Sequence, residues 1–128
     1  MTNQAQTPNK PRYRTEGTLD QLKRGLIVSC QAAYSDSPTN TPDFLTRMSQ
    51  AAVRGGARGI RANRPENIRA IREKVSVPII GLYKESIPGY EVYITPTFEH
   101  ARLVVEAGAD IVALDGTMRK RPEGEDLG

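Results

Sequence analysis

Pro78-Ile79-Ile80-Gly81-Leu82-Tyr83-Lys84 opens on a proline, runs through apolar residues and ends on a cation. A short continuous apolar run of this kind is the pattern of a strand covered on both faces, as in a parallel sheet. Just upstream, a helix led by Pro65 places Ile68, Ile71 and Val75 at i, i+3 and i+7 on one face. Proline suits a first helical position because its missing N–H had no partner there. Before that helix, residues 57–62 read as another strand. Earlier still, Phe44, Leu45, Met48, Ala51, Ala52 and Gly55 follow helical spacing, with Gly55-Gly56 as the stop. Leu26, Ile27 and Val28 form the first apolar run, expected to be buried on both faces, and Pro38 and Pro42 frame the polar loop behind it.

Downstream of Lys84 the pattern continues. Residues 85–93 read as a loop with a turn at Pro88-Gly89. Thr97 is placed to cap a helix carrying Phe98, Ala101, Val104 and Val105 inward, Gly108 ends it, and residues 111–114 make a fourth strand. Two helix-to-strand junctions look alike: Val53-Arg54-Gly55-Gly56-Ala57-Arg58-Gly59-Ile60 parallels Val105-Glu106-Ala107-Gly108-Ala109-Asp110-Ile111-Val112. The order β-α-β-α-β-α-β predicts an α/β class with right-handed crossovers. Periodicity alone leaves two architectures open, a doubly wound sheet and part of a (β/α)8 barrel.

Composition narrows the function classes. The chain has 128 residues, 38% hydrophobic and 26% charged, which fits a soluble globular domain. No stretch approaches the roughly 20 apolar residues of a membrane span. Residues 1–17 are polar, rich in Thr, Asn, Gln and Pro, and read as a disordered tail without the apolar centre of a secretory signal. The single cysteine, Cys30, has no partner for an internal disulfide and points to a reducing cytoplasm. A net charge of +3, with Arg119, Lys120 and Arg121 clustered, raises the question of nucleic acid, but no RNA-binding motif accompanies it and no specific nucleic-acid partner is expected.

Gln31, Arg61, Lys84 and Asp115 each fall at the C-terminal end of an expected strand. Both open architectures put their active sites at that end. Lys84 follows apolar residues directly, where partial desolvation lowers an amine towards the range of a working base; the plain alternative is a solvent-facing lysine. Arg61 suits a carboxylate, phosphate or amide oxygen, or else pairs with a nearby acid. Asp115 suits a hydroxyl or the lysine, or else caps a loop. Gln31 suits a sugar or an N-acyl group, or else serves the loop. Cys30 reads as a small packed residue, and His100, in a helix without metal-spaced partners, as a surface residue. No cluster has zinc spacing, and no glycine-rich nucleotide fingerprint opens a helix.

Gly25-Leu26-Ile27-Val28-Ser29-Cys30-Gln31, Gly59-Ile60-Arg61-Ala62-Asn63 and 78–84 resemble successive signatures of the N-acetylmannosamine-6-phosphate 2-epimerase family. Glu91-Val92-Tyr93-Ile94-Thr95-Pro96-Thr97, Ala107-Gly108-Ala109-Asp110, Leu114-Asp115-Gly116-Thr117 and Arg119-Lys120-Arg121-Pro122 continue the resemblance in order, with Gly116 where the family usually has alanine. The resemblance implies a TIM-type (β/α)8 barrel of which residues 18–128 form the N-terminal half, about four of eight βα units. It implies an isomerase that epimerises C2 of N-acetylmannosamine 6-phosphate to N-acetylglucosamine 6-phosphate, in sialic acid and amino sugar breakdown, without metal or other cofactor. It assigns Lys84 as catalytic acid/base, Gln31 and Arg61 to substrate binding, and Asp115 to positioning. The family's catalytic glutamate belongs to the later half and has no counterpart here; Glu123 and Glu125 lie in a polar loop. Completion by a C-terminal half, or by a second copy as a homodimer, is therefore expected of a working enzyme. The other expectation is a remnant or split subunit that binds sugar phosphate without turnover.

Overall fold

The computed structural model describes residues 15–128. Residues 1–14 of the expected tail lie outside the described residues, while Thr15 to Gly17, also assigned to it, form the start of helix α1 (Thr15–Leu22). There follow β1 (Ile27–Ser29), α2 (Pro42–Arg54), β2 (Gly59–Asn63), α3 (Pro65–Lys74), β3 (Ile79–Leu82), α4 (Phe98–Glu106) and β4 (Ile111–Val112). A short 3₁₀ turn covers Pro122–Gly124.

The four strands are parallel and lie in chain order, β1-β2-β3-β4. The register puts Ser29, Arg61, Ile80 and Ile111 on one level across the sheet. Since side chains alternate faces, this level defines one face, and Val28, Ile60, Ile79 and Val112 with their alternate neighbours define the other. That second face carries the core. Val28, Cys30, Ile60, Ala62, Ile79 and Val112 pack there with Leu45 of α2, Ile68 and Ile71 of α3 and Val104 of α4. All three of these helices thus cover a single face. Sequential parallel strands with helices on one side are an arc of a (β/α)8 barrel; a doubly wound sheet reverses its strand order and has helices on both sides. Four βα units are about half of such a barrel.

The local chemistry explains the elements. Thr41 Oγ1 accepts the Phe44 N–H at 3.2 Å and Pro42 takes the first turn of α2. Thr97 caps α4 in the same way, from the His100 N–H at 3.3 Å. The matched junctions of the sequence are matched in space: Gly56 and Gly108 both follow a helix end at positive φ, 104° and 114°. Side chains rarely adopt that geometry, so glycine marks both stops. Gly81 has a different reason. A Cβ there would lie 2.6 Å from both Ala109 Cβ and Val104 Cγ1, so its bareness lets α4 settle on β3. On the opposite face a Cβ on Gly59 would lie 2.5 Å from Leu22 Cδ2, which places α1 under the N-terminal ends of the strands.

Two expectations need correction. β1 is not buried on both faces: Leu26 and Ile27 are exposed, because β1 is an edge strand and Ile27 lies on the face that the helices leave uncovered. Phe44, Phe98 and Val105 are exposed rather than inward. For α4 the cause is position; α3 flanks one side, and among the described residues no helix flanks the other. Val112 packs on the helix side, so Ile111 lies with Ile27 and Ile80 on the uncovered face.

Candidate functional site

The uncovered face has a polar rim at the C-terminal ends of the strands. Arg61 lies on it in β2, and Gln31, two residues beyond Ser29, and Lys84, two beyond Leu82, keep the same parity. Gln31, Arg61 and Lys84 thus share one face as well as strand-end position. Asp115 follows three residues after the end of β4. Each of the four is half-buried.

Lys84 is held by its backbone. Its N–H donates to Asn63 Oδ1 at 2.9 Å, and it forms an antiparallel bridge with Ile94. Partial burial pulls its amine below the ordinary lysine value, and the nearby Arg61 guanidinium adds to the fall. Two cations without an intervening acid make a place where an anionic oxygen is welcome. Gln31 Nε2 donates to Ser29 Oγ at 2.9 Å, leaving its buried Oε1 without a protein partner. Cys30 is fully buried on the helix side, turned away from this rim.

Asp115 is set apart from Lys84. Ile94 comes between them, bridging Lys84 on one side and accepting the Asp115 N–H at 3.0 Å on the other. The Asp115 carboxylate turns into its own loop and accepts the Thr117 N–H at 2.8 Å. Hydrogen bonds from Thr117, side chain first and then backbone, hold its pKa below the ordinary aspartate value, helped by Arg119 and Arg121. It orients a hydroxyl from here only by giving up some of that turn.

The segment between β3 and α4 is more built than a loop with a single turn. Glu85 N–H donates to Tyr93 O at 2.9 Å and Thr95 N–H to Tyr83 O at 2.8 Å, so the chain doubles back on itself. Thr95, buried and at a φ of 48°, accepts the Tyr83 N–H at 3.1 Å and donates to Ala113 O at 2.7 Å. Its hydroxyl ties the ends of β3 and β4 together.

Two residues here escaped the sequence reading. Arg121 is buried, with its guanidinium donating to the carbonyls of Thr95, Pro96 and Asp115 and its Nε unpartnered. The basic triplet is therefore not one exposed patch: Arg119 also pairs with Glu91 at 3.3 Å. His100 is not a surface residue but is largely covered, bonded to Thr97 Oγ1 at 2.6 Å and to the Glu85 carboxylate. The Thr97-x-x-His100 spacing, which puts the two side chains within one helical turn, was the available signal. A cleft beside the rim is lined by Tyr90, Thr117, Arg119, Lys120, Arg121 and Leu127, and none of the four expected residues lines it. Among the described residues, no group of three or more His, Cys, Asp or Glu is placed to hold a metal ion. No helix among them is long and apolar enough to cross a membrane.

Comparison with known proteins shows the family and the fold. Residues 45–127 match the family described as "Putative N-acetylmannosamine-6-phosphate epimerase". Among curated proteins, a relative from Listeria monocytogenes serotype 4b (strain F2365), named "Putative N-acetylmannosamine-6-phosphate 2-epimerase", is 50% identical over 109 residues, covering 85% of this chain and 47% of the relative. A relative of the same name from Thermosynechococcus vestitus is 54% identical over 103 residues, 80% of this chain and 45% of its own. A solved structure of the N-acetylmannosamine-6-phosphate 2-epimerase from Clostridium perfringens superposes with a TM-score of 0.81 at 42% identity, over 85% of this chain and 47% of that one. The chain spans about half the length of the curated relatives it matches.

Proposed function

We propose, from the premise that this chain belongs to the N-acetylmannosamine-6-phosphate epimerase family, that its rim is half of a site that epimerises C2 of N-acetylmannosamine 6-phosphate. The observation that carries the reading is the meeting of Lys84 and Arg61 on one open face at the C-terminal strand ends.

The chemistry follows from the groups. In the open-chain sugar the C1 aldehyde acidifies the C2 proton. The Lys84 amine, kept low by desolvation, accepts that proton as a general base. The electrons move into the C1–C2 bond and onto the carbonyl oxygen, and the Arg61 guanidinium stabilises the charge that develops there. Gln31, with an unpartnered buried oxygen, takes an N–H of the N-acyl group, and Asp115 takes a hydroxyl. Return of a proton to the opposite side of C2 gives N-acetylglucosamine 6-phosphate. The reaction is redox-neutral and returns every proton it removes. General acid–base help of this kind is worth roughly 10²–10⁴-fold, so Lys84→Ala should lose most of the rate.

Inversion at C2 needs a proton donor on each side of the carbon, and Lys84 supplies one side. The second donor we assign to a further half-barrel, either a C-terminal half or a second copy of this chain, meeting the edges at β1 and β4, where Leu26, Ile27 and Leu114 are exposed. A buried, unpaired Cys30 suits a reducing cytoplasm. A second reading, sugar-phosphate binding without turnover, draws on the same one-sidedness.

The test mixes the chain with N-acetylmannosamine 6-phosphate in deuterated water and follows deuterium at C2 by NMR. Exchange that Lys84→Ala abolishes supports the epimerase half-site. No exchange from a folded chain, with the sugar phosphate bound, favours the binding reading.

A further inference from the structure

Where β3 runs out, His100 reaches across from the first turn of α4 and grips the residues on either side of Lys84. Its imidazole meets the Tyr83 ring edge-on, with centroids 4.8 Å apart and planes at 65°. Its Nε2 bonds to the Glu85 carboxylate, and its Nδ1 to Thr97 Oγ1 at 2.6 Å. The His100 side chain is 12% exposed and that of Glu85 48% exposed. Behind the ring, the Arg64 guanidinium lies 5.6 Å from the Tyr83 centroid. Tyr83 and Glu85 share the helix-side parity, and Lys84 between them points to the open face.

The geometry points to His100 as a positioning residue for Lys84: by drawing Tyr83 and Glu85 onto α4, it keeps the Glu85 carboxylate from becoming the counter-ion of the neighbouring amine. Lys84 is then left facing Arg61 of β2, with the Asp115 carboxylate held in its own turn at the end of β4. The charged groups around His100 are Glu85, the adjacent Glu99 of its own helix and Arg64 beyond Tyr83. A freed Glu85, sequence neighbour to Lys84, is the nearest acid able to swing towards it. An opposite charge within reach raises an amine's pKa by about one unit or more, which lowers the reactive free-amine fraction about tenfold below that pKa. The inference rests on reading Lys84 as a reactive amine, and the experiment separates the two.

Trace acetylation of the full chain near pH 8, read at each lysine by peptide mass spectrometry, gives the Lys84 rate relative to the exposed Lys120. The native ratio tests whether Lys84 is activated at all. The variants test His100. His100→Phe keeps a ring against Tyr83 and cannot hold Glu85; His100→Leu replaces it should the phenylalanine variant fail to fold. The Lys84 ratio should fall roughly tenfold in the single variant. It should return to within about twofold of native when Glu85→Gln is added, since the amide carries no charge. An unchanged ratio in a folded single variant overturns the assignment. So does an equal fall in single and double variants, which would mean lost packing and not a released carboxylate.

Discussion

The helix-side face and the open face of the sheet are made of alternate residues of the same four strands, yet they are finished differently. Ile60, Ala62 and Ile79 on the first are wholly buried, packed with Leu45 of α2, Ile68 and Ile71 of α3 and Val104 of α4. On the second, Ile27 is exposed, Ile80 and Ile111 are half-covered, and the rim carries two cations, an amide and a carboxylate. One face holds the fold together and the other is free to carry chemistry. A sheet with period-two alternation can divide labour this way because changing a residue on the open face leaves the alternate residues of the core intact.

The largest effects should therefore come from the covered face. Ile60→Ala and Ile68→Ala should each cost about 2–5 kcal/mol in urea unfolding, while Ile27→Ala should cost well under about 1 kcal/mol. Equal losses would erase the distinction. Next, Gly81→Ala forces a Cβ against Ala109 and Val104 and should cost about 1–3 kcal/mol through overpacking, read in the same experiment. Thr97→Ala removes the α4 cap and should cost about 1 kcal/mol.

The smallest effect sharpens the comparison most, since its sign is opposite. Lys84 titrates lower in the folded chain than the ordinary lysine value of 10.5. The folded state therefore binds fewer protons than the unfolded one between those two values, and its stability rises with pH across that window. Below the lowered value the charged amine is a standing cost. Lys84→Met should thus raise the melting temperature slightly at neutral pH, and the gain should shrink as pH climbs to about 10.5. Thermal melts of both proteins at pH 7, 9 and 10.5 measure this; a melting temperature that falls at pH 7 would mean that Lys84 contributes to the fold.

The sequence was most legible where local rules suffice. Proline-led and threonine-capped helices, glycine stops and apolar runs gave every strand from Ile27 onward to within a few residues, and the strand-end position of the rim residues came with them. Strand order did not follow from periodicity, and that order is what separates an arc of a barrel from an open sheet. Phe98 and Val105 show the limit of reading apolar spacing as burial: they have helical periodicity on a flank that no helix among the described residues covers. His100 and Arg121 were misjudged for the opposite reason. A polar side chain is expected outside unless its partners are known, and Glu85, Thr95 and Asp115 are partners only after the segment following β3 has folded back. The separation of Asp115 from Lys84 by Ile94 is likewise a tertiary fact.

On the proposed function the open face, and not the covered one, meets a sugar phosphate. Backbone amide NMR of the chain titrated with N-acetylmannosamine 6-phosphate tests it directly. Saturable shifts are expected at Gln31, Arg61, Lys84 and Asp115, weakened by Lys84→Met, with Ile60, Ile68 and Ile71 unmoved. Shifts confined to the cleft around Thr117, Lys120 and Leu127, or none at all in a folded sample, would contradict it.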